Sequence, residues 1–175
     1  MTEIVKASFS IILSIYDYNF IHFIIIGSIL IKKLQDKLHN EIPLTKLMNI
    51  SIEEYNEKEL ITKAPLDINI NDKGTAFGGS LSTMTIISSW SMSWLISQEL
   101  NIDSKNIVVI KNENSYKKPV TKDIYCYTIK PSIDEIEKVA KKLKEKGSAS
   151  LKIKSSIIED NQTCVDFEGV YVIKV

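Results

Sequence analysis

Asn69-Ile70-Asn71-Asp72-Lys73-Gly74-Thr75-Ala76-Phe77-Gly78-Gly79-Ser80-Leu81 stands between two different kinds of sequence. Upstream, Leu60, Thr62 and Ala64 alternate with polar residues up to Pro65, the period of a half-buried strand. Downstream, Ser80 to Leu100 holds no Pro or Gly. As a helix that stretch would reach roughly 30 Å at about 1.5 Å per residue. Its length suits a membrane span, but Ser recurs at 80, 82, 88, 89, 91, 93 and 97, beside the bulky Trp90 and Trp94. Small hydroxyl residues with two indoles suit a core helix wrapped by a sheet better than a lipid-facing one. The glycine-bearing loop Asn71 to Gly79 therefore leads into a long central helix.

Working outward, Leu34 and Leu38 mark a short amphipathic helix that runs out near Pro43, and Leu44 and Leu47 follow it. Met48 to Ile52 alternates as a strand, and Glu54 to Lys58 reads as a turn. Beyond the central helix, Ile107 to Ile110 and Ile124 to Ile129 read as strands flanking a turn around Pro119. Ser132-Ile133-Asp134-Glu135 is a capping box, opening a helix with the apolar line Ile133, Ile136, Val139, Leu143 and a stop at Gly147. Two last strands carry Leu151, Ile153, Ile157 and then Val165, Phe167, Tyr171, Ile173, Val175, joined by a turn at Asp160-Asn161. The order predicts an α+β domain in which a largely antiparallel sheet covers the central helix.

Charge excludes several functions. The 175 residues balance 22 basic against 22 acidic groups, so nothing suggests a nucleic-acid partner. Every basic residue is Lys, and without a guanidinium fork an anionic substrate must rely on Lys, backbone amides or neutral donors. Cys126 and Cys164 lie far apart in strand-like runs, with no CxxC or Cys/His cluster. They read as buried core residues of a reducing, cytoplasmic compartment, and no metal or other cofactor is implied.

Residues 1–31 form an apolar segment set apart from the domain expected over 32–175. Ile11 to Ile31 has the length of a membrane span, yet Asp17, Asn19 and His22 sit in its middle. Membrane contact through 11–31, an extra packed element and a start codon placed too far upstream all remain open.

Asn71-Asp72-Lys73-Gly74-Thr75-Ala76-Phe77-Gly78-Gly79 resembles the Asn-x-x-Gly-x-x-His-Gly-Gly signature of hotdog-fold thioesterases, with Phe77 in place of the His. The longer string, from Ala64-Pro65-Leu66 through Asn69 and Asn71-Asp72 to Phe77-Gly78-Gly79-Ser80 and Trp90, is similar to one subfamily. That is the thioesterase-like domain at the C-terminus of YiiD-type acetyltransferases and its free-standing relatives. The resemblance covers about Leu34 to Val175. It implies a hotdog fold, a curved antiparallel sheet around the central helix, and a homodimer or dimer of dimers with sites between protomers. It also implies an acyl-CoA or acyl-carrier-protein thioester as ligand, bound near Asn69, Asp72, Gly74, Thr75, Phe77, Ser80 and Trp90.

Physical chemistry gives the same loop a role. At a helix N-terminus the amides of Gly78 and Gly79 point outward from the positive end of the dipole, where a thioester oxyanion would be stabilised. Missing side chains let substrate approach closely. Asn71 would aim its amide at the same carbonyl or at a water, whereas Asp72 suits an N-cap rather than a base. Many hotdog thioesterases carry Asp or Glu on the central helix, and relatives in this subfamily often have Thr. Counting back four residues from Trp90 gives Ile86 here. Thr85 and Ser88 are the nearby hydroxyl candidates, about 100° and 200° away in helical phase. With His22 and His39 both ahead of the sheet and the central helix, a Ser-His-Asp triad is excluded and no general base is evident. Three activities fit: thioester hydrolysis in fatty acid metabolism, decarboxylation of a malonyl thioester to supply acetyl primers, and acyl-thioester binding without catalysis. The second, known in this subfamily, needs oxyanion donors but no base.

Overall fold

A computed structural model describes residues 27–104 and 106–175. The apolar run through residue 26 lies outside the described residues. Residues 27–41 form helix α1, followed by the one-turn α2 (Pro43–Leu47), β1 (Ser51–Tyr55), β2 (Glu59–Ala64) and the 22-residue α3 (Gly78–Glu99). Then come β3 (Asn106–Tyr116), β4 (Ile124–Ile129), α4 (Ile133–Lys146), β5 (Ser148–Glu159) and β6 (Gln162–Lys174). The strands make one antiparallel sheet in the order β1-β2-β4-β5-β6-β3, and α3 lies against its concave face.

Alternation along the strands supplies the core. Leu60, Thr62 and Ala64 of β2, Ile124, Cys126 and Thr128 of β4, and Leu151, Ile153, Ser155 and Ile157 of β5 are all buried on the helix side. Each strand puts a hydroxyl or thiol among its aliphatics, and those of Thr128 and Ser155 meet the serines of α3. Ser88 Oγ lies 2.6 Å from Thr128 Oγ1, which is 2.8 Å from Ser155 Oγ, which is 2.6 Å from Ser89 Oγ. Small residues let the helix approach closely, and the hydroxyl chain satisfies groups that would otherwise cost about 1–3 kcal/mol each in this dry setting. Cys126 sits beside the chain, and burial pushes its thiol up to about 11, so it stays protonated. Thr62 Oγ1 and Ser91 Oγ have no protein partner.

The expected capping box is present. The Ser132 amide donates to Glu135 Oε2 at 3.0 Å, and Gly147 ends α4 in the left-handed region at φ 67°. Ile136, Val139 and Leu143 are buried where β5 runs beyond its three-residue pairing with β4, while Ile133 faces solvent. Asp160 and Asn161 both take positive φ in the β5–β6 turn, and Val175 at its far end is partly exposed rather than in the core.

Three expectations shift. Met48 and Ile50 are buried, but from a turn with Asn49 at φ 52°, and the strand begins only at Ser51. The cause is α2, which starts at Pro43 and is tied back by Thr45 Oγ1 donating toward Leu38 O and Ile42 O, each at 2.8 Å. Second, α1 runs through the boundary expected at residue 31, with Leu30 and Ile31 packed on the core and Leu34 and Leu38 fully buried. Third, β3 extends six residues past Ile110, to Tyr116, held by pairing with β6 and a bulge between Val109 and Lys111. The two edges of the sheet differ as a result. At β1, Gln35 of α1 accepts from the Ile52 amide at 2.8 Å and donates to Ile50 O at 2.9 Å, closing that edge. At β3 the far side of the strand is open, with Val108, Ile110 and Tyr116 exposed.

Thr128→Val would strand the Ser88 hydroxyl and is expected to cost about 1–3 kcal/mol in urea unfolding. Adding Ser88→Ala removes the orphaned group, so the double variant should recover part of that loss. Additive losses in the cycle would show that the hydroxyl chain is not a coupled unit.

Candidate active site

The loop between β2 and α3 is built by its own asparagines. Asn69, 2% exposed, donates from Nδ2 to Met48 O at 3.0 Å and Pro65 O at 2.8 Å; its backbone carbonyl accepts from the Phe77 amide at 2.7 Å, while its side-chain Oδ1 is buried without a protein partner. Asn71 donates to Thr75 Oγ1 at 2.9 Å and Ala76 O at 3.3 Å, while its Oδ1 accepts from the amides of Lys73 at 2.8 Å and Thr75 at 3.2 Å. Both amide hydrogens and both acceptor sites are spent inside the loop. Asn71 is thus a turn builder in the structure rather than a side chain aimed at substrate. Gly74 takes φ +76° in the same turn, a conformation that L side chains rarely adopt. Farther back, Asp123 accepts from the Leu66 amide at 3.1 Å and faces Lys63; these contacts, the amide bond first, hold its carboxyl below the usual range.

The loop delivers Phe77 as the residue before α3, extended at ψ 132° and making no side-chain cap. Asp72 is exposed five residues earlier and does not cap the helix. The first intrahelical bond is Leu81 N to Phe77 O at 3.0 Å, so the amides of Gly78, Gly79 and Ser80 precede the ladder. The two glycines differ. A Cβ on Gly79 would lie 2.2 Å from Cε1 of Phe77, so the ring leaves no room for a side chain there although Gly79 itself is exposed, whereas a Cβ on Gly78 would meet nothing within 4 Å. Open space over Gly78 is where a ligand could reach the backbone.

Along α3, Gly79, Ser82, Thr83, Ile86 and Trp90 form the incompletely covered stripe, while Leu81, Met84, Ser88, Met92 and Leu95 face the core. Ile86 therefore does occupy the accessible line. Ser88 is buried at Thr128, and Trp90 donates from Nε1 to Ile107 O at 2.9 Å, bracing β3 against the helix. Thr85 is fully buried, but its hydroxyl turns to β3, 2.9 Å from Ser82 O and 3.0 Å from Asn114 Oδ1. Asn114 also donates from Nδ2 to Ser82 Oγ at 3.3 Å, and the Tyr116 hydroxyl donates to Gly78 O at 3.3 Å.

The structure thus gathers Phe77, Gly78, Gly79, Ser80 and Thr85 at one end of α3 and uses Asn69, Asn71, Gly74 and Thr75 to hold that end in place. Ser88 and Trp90 do not join them. Asn114 and Tyr116 do, and sequence reasoning missed both, because Lys111 to Lys118 is uniformly polar and carries no alternation to mark a strand. Among the described residues no group of three or more His, Cys, Asp or Glu is placed to hold a metal. His39 sits at the opposite edge of the sheet, 2.9 Å from Ile50 O. Nor is any described helix long and apolar enough to cross a membrane, α3 included.

A six-stranded antiparallel sheet curved around one central helix, with a neutral, amide-rich site at that helix's N-terminus, defines a hotdog domain of the thioesterase type. Residues 31–175 match the family described as "Putative thioesterase (yiiD_Cterm)", and the chain belongs to that family. Among solved structures it is similar to a protein of unknown function from Chlorobaculum tepidum, with 32% identity, a TM-score of 0.82, and coverage of 85% of this chain and 96% of that one. It is also similar to a "putative thioesterase" from Shewanella oneidensis, with 30% identity, a TM-score of 0.76, and coverage of 85% and 99%. A thioesterase from Haemophilus influenzae, 16% identical with a TM-score of 0.60 over 82% and 90% of the two chains, shares the fold.

Asn71→Ala deletes four loop hydrogen bonds and is expected to lower both the melting temperature and any turnover. Loss of activity with an unchanged melt would instead return Asn71 to direct contact with substrate.

Proposed function

We propose that this protein acts on acyl-CoA or acyl-carrier-protein thioesters, binding the thioester carbonyl at the N-terminus of α3. The observation that carries the reading is the uncapped start of a 22-residue helix with open space over Gly78. Free amides and the helix dipole there stabilise negative charge on the carbonyl oxygen, a contribution worth several kcal/mol in a water-poor site. Hydrolysis then proceeds by water attack on the carbonyl carbon. The water proton goes to solvent, the C–S bond breaks, and the departing thiolate takes up a proton. The fold's thioesterase relatives favour this reaction.

Decarboxylation of a malonyl thioester is the second reading, favoured by the lack of a carboxylate or imidazole among the side chains gathered at the helix end. In that reaction the bond to the carboxylate breaks and its electron pair becomes the enolate. Carbon dioxide leaves, and water protonates the carbon. The charge that develops as the bond breaks lies on the thioester oxygen, and no base is required. Binding without turnover is the limiting case of the same site.

Incubation with malonyl- and straight-chain acyl-carrier protein, and with the matching CoA thioesters, separates the readings when free thiol and acetyl product are measured independently. Gly78→Ala tests the site itself. The added methyl meets no neighbour and Ala is the better helix former, so the melting temperature should hold while turnover falls at least tenfold. Full activity in Gly78→Ala would remove the substrate from that backbone.

The open edge of β3 supports a homodimer. Exposed Val108, Ile110 and Tyr116 beside unpaired strand groups and the half-covered stripe of α3 form a self-complementary face for a second copy. Sedimentation is expected to show a dimer or a dimer of dimers at micromolar concentration; monomer alone would refute it.

A further inference from the structure

The geometry points to Asn114 of β3 as a catalytic side chain, donating its remaining amide hydrogen to the thioester oxygen alongside the α3 amides; this rests on the proposed thioester chemistry. Pairing with Phe167, whose side chain is buried in the core, sets Asn114 on the helix side of the sheet. Its neighbour on that side, Tyr116, touches the carbonyl of Gly78, so this end of β3 runs along the first turn of α3. Asn114 is half-buried, and its contacts are to Thr85 Oγ1 at 3.0 Å through Oδ1 and to Ser82 Oγ at 3.3 Å through Nδ2. An amide nitrogen carries two hydrogens, and one contact leaves the second unused.

Thr85 acts as the positioning residue. Its hydroxyl is fully buried and fixed between Ser82 O and Asn114 Oδ1, which holds the amide with its nitrogen toward Ser82 and the accessible stripe. Without it the amide would rotate freely on an exposed edge strand. The position also complements the polarity of the site. A charged donor would carry a large desolvation cost beside the buried face of α3, whereas a neutral amide held by two hydroxyl residues does not. It supplies in the enolate or tetrahedral state a side-chain donor from the sheet, beside those the helix end offers along its own axis.

The test uses the full-length protein with octanoyl-CoA and malonyl-CoA, measuring kcat, KM, melting temperature and thioester affinity. Asn114→Asp keeps the acceptor for Thr85 and the size of the side chain but removes the donor. Asn114→Ala removes both. Both variants are expected to lose about 10²-fold in kcat, as loss of one oxyanion donor does, with KM changed less than about threefold. The Asp variant brings a charge to a half-buried position and should melt below wild type, so kcat is compared at a temperature where both variants are fully folded. Turnover by wild type with kcat retained in Asn114→Asp, or a loss confined to KM, would overturn the assignment while leaving the thioester reading intact. If wild type binds these thioesters without turning them over, catalysis is refuted for the protein. Asn114 is then read in affinity, where an unchanged Kd in Asn114→Ala overturns its contact with the thioester. Wild type that neither binds nor converts either thioester refutes both.

Discussion

Between its buried Leu81, Met84, Met92 and Leu95, helix α3 meets β4 and β5 through serine hydroxyls, and the rest of the molecule is arranged around that contact. Ser88 and Ser89 reach Thr128 and Ser155 at 2.6 Å, distances available only when helix and strands approach closely. Close approach has a condition: each hydroxyl drawn out of water must find a partner, since an orphan costs as much as several methylene groups gain. The chain from Ser88 through Thr128 and Ser155 to Ser89 meets that condition across three elements. It also fixes the rotation of α3, because turning the helix by one residue would break every link. The accessible stripe from Gly79 to Trp90 is the consequence of that rotation.

From the fixed helix the site follows. Its first turn can offer free amides only if no side chain caps it, and the loop achieves this by ending on Phe77. Asn69 and Asn71 make the loop rigid by turning their amides inward, so the residues that suggested a reactive site from sequence are the ones that frame it. The ring of Phe77 takes the space a side chain at Gly79 would need and leaves that space free at Gly78, giving the two adjacent glycines separate duties.

How much of this was legible in the sequence depends on whether burial left a pattern. β2, β4, β5 and the buried line of α4 alternate or repeat cleanly because one face packs and the other meets water, and the structure bears those readings out. The Gly-Gly string located the start of α3 to within two residues. β3 left no pattern beyond Ile110, since an edge strand facing solvent can be polar throughout, and Asn114 was hidden with it. Ser88 misled for a related reason: hydroxyls in a helix look alike in sequence, and only the rotation set by the sheet decides which faces a core and which faces a ligand. Asn71 had two readings, turn builder and donor, and its four loop hydrogen bonds display the first.

What distinguishes the resulting site is its neutrality. Ile86 occupies the accessible line with an aliphatic side chain, and the side chains gathered at the helix end are amide, hydroxyl, phenol and phenyl. Such a site can hold negative charge on an oxygen but cannot readily abstract a proton from water. Reactions differ in which of these they need. Water attack on a thioester requires the nucleophile to lose a proton as the bond forms, and an unaided neutral site meets only half of that demand. Loss of carbon dioxide from a malonyl thioester places all the developing charge on the carbonyl oxygen, where backbone amides already point. The cost of binding its carboxylate beside neutral groups raises the ground state, and that charge disappears as the bond breaks. Neutral donors aimed at one oxygen thus lower the barrier from both ends, so the departure at Ile86 removes little that decarboxylation needs and much that hydrolysis would use.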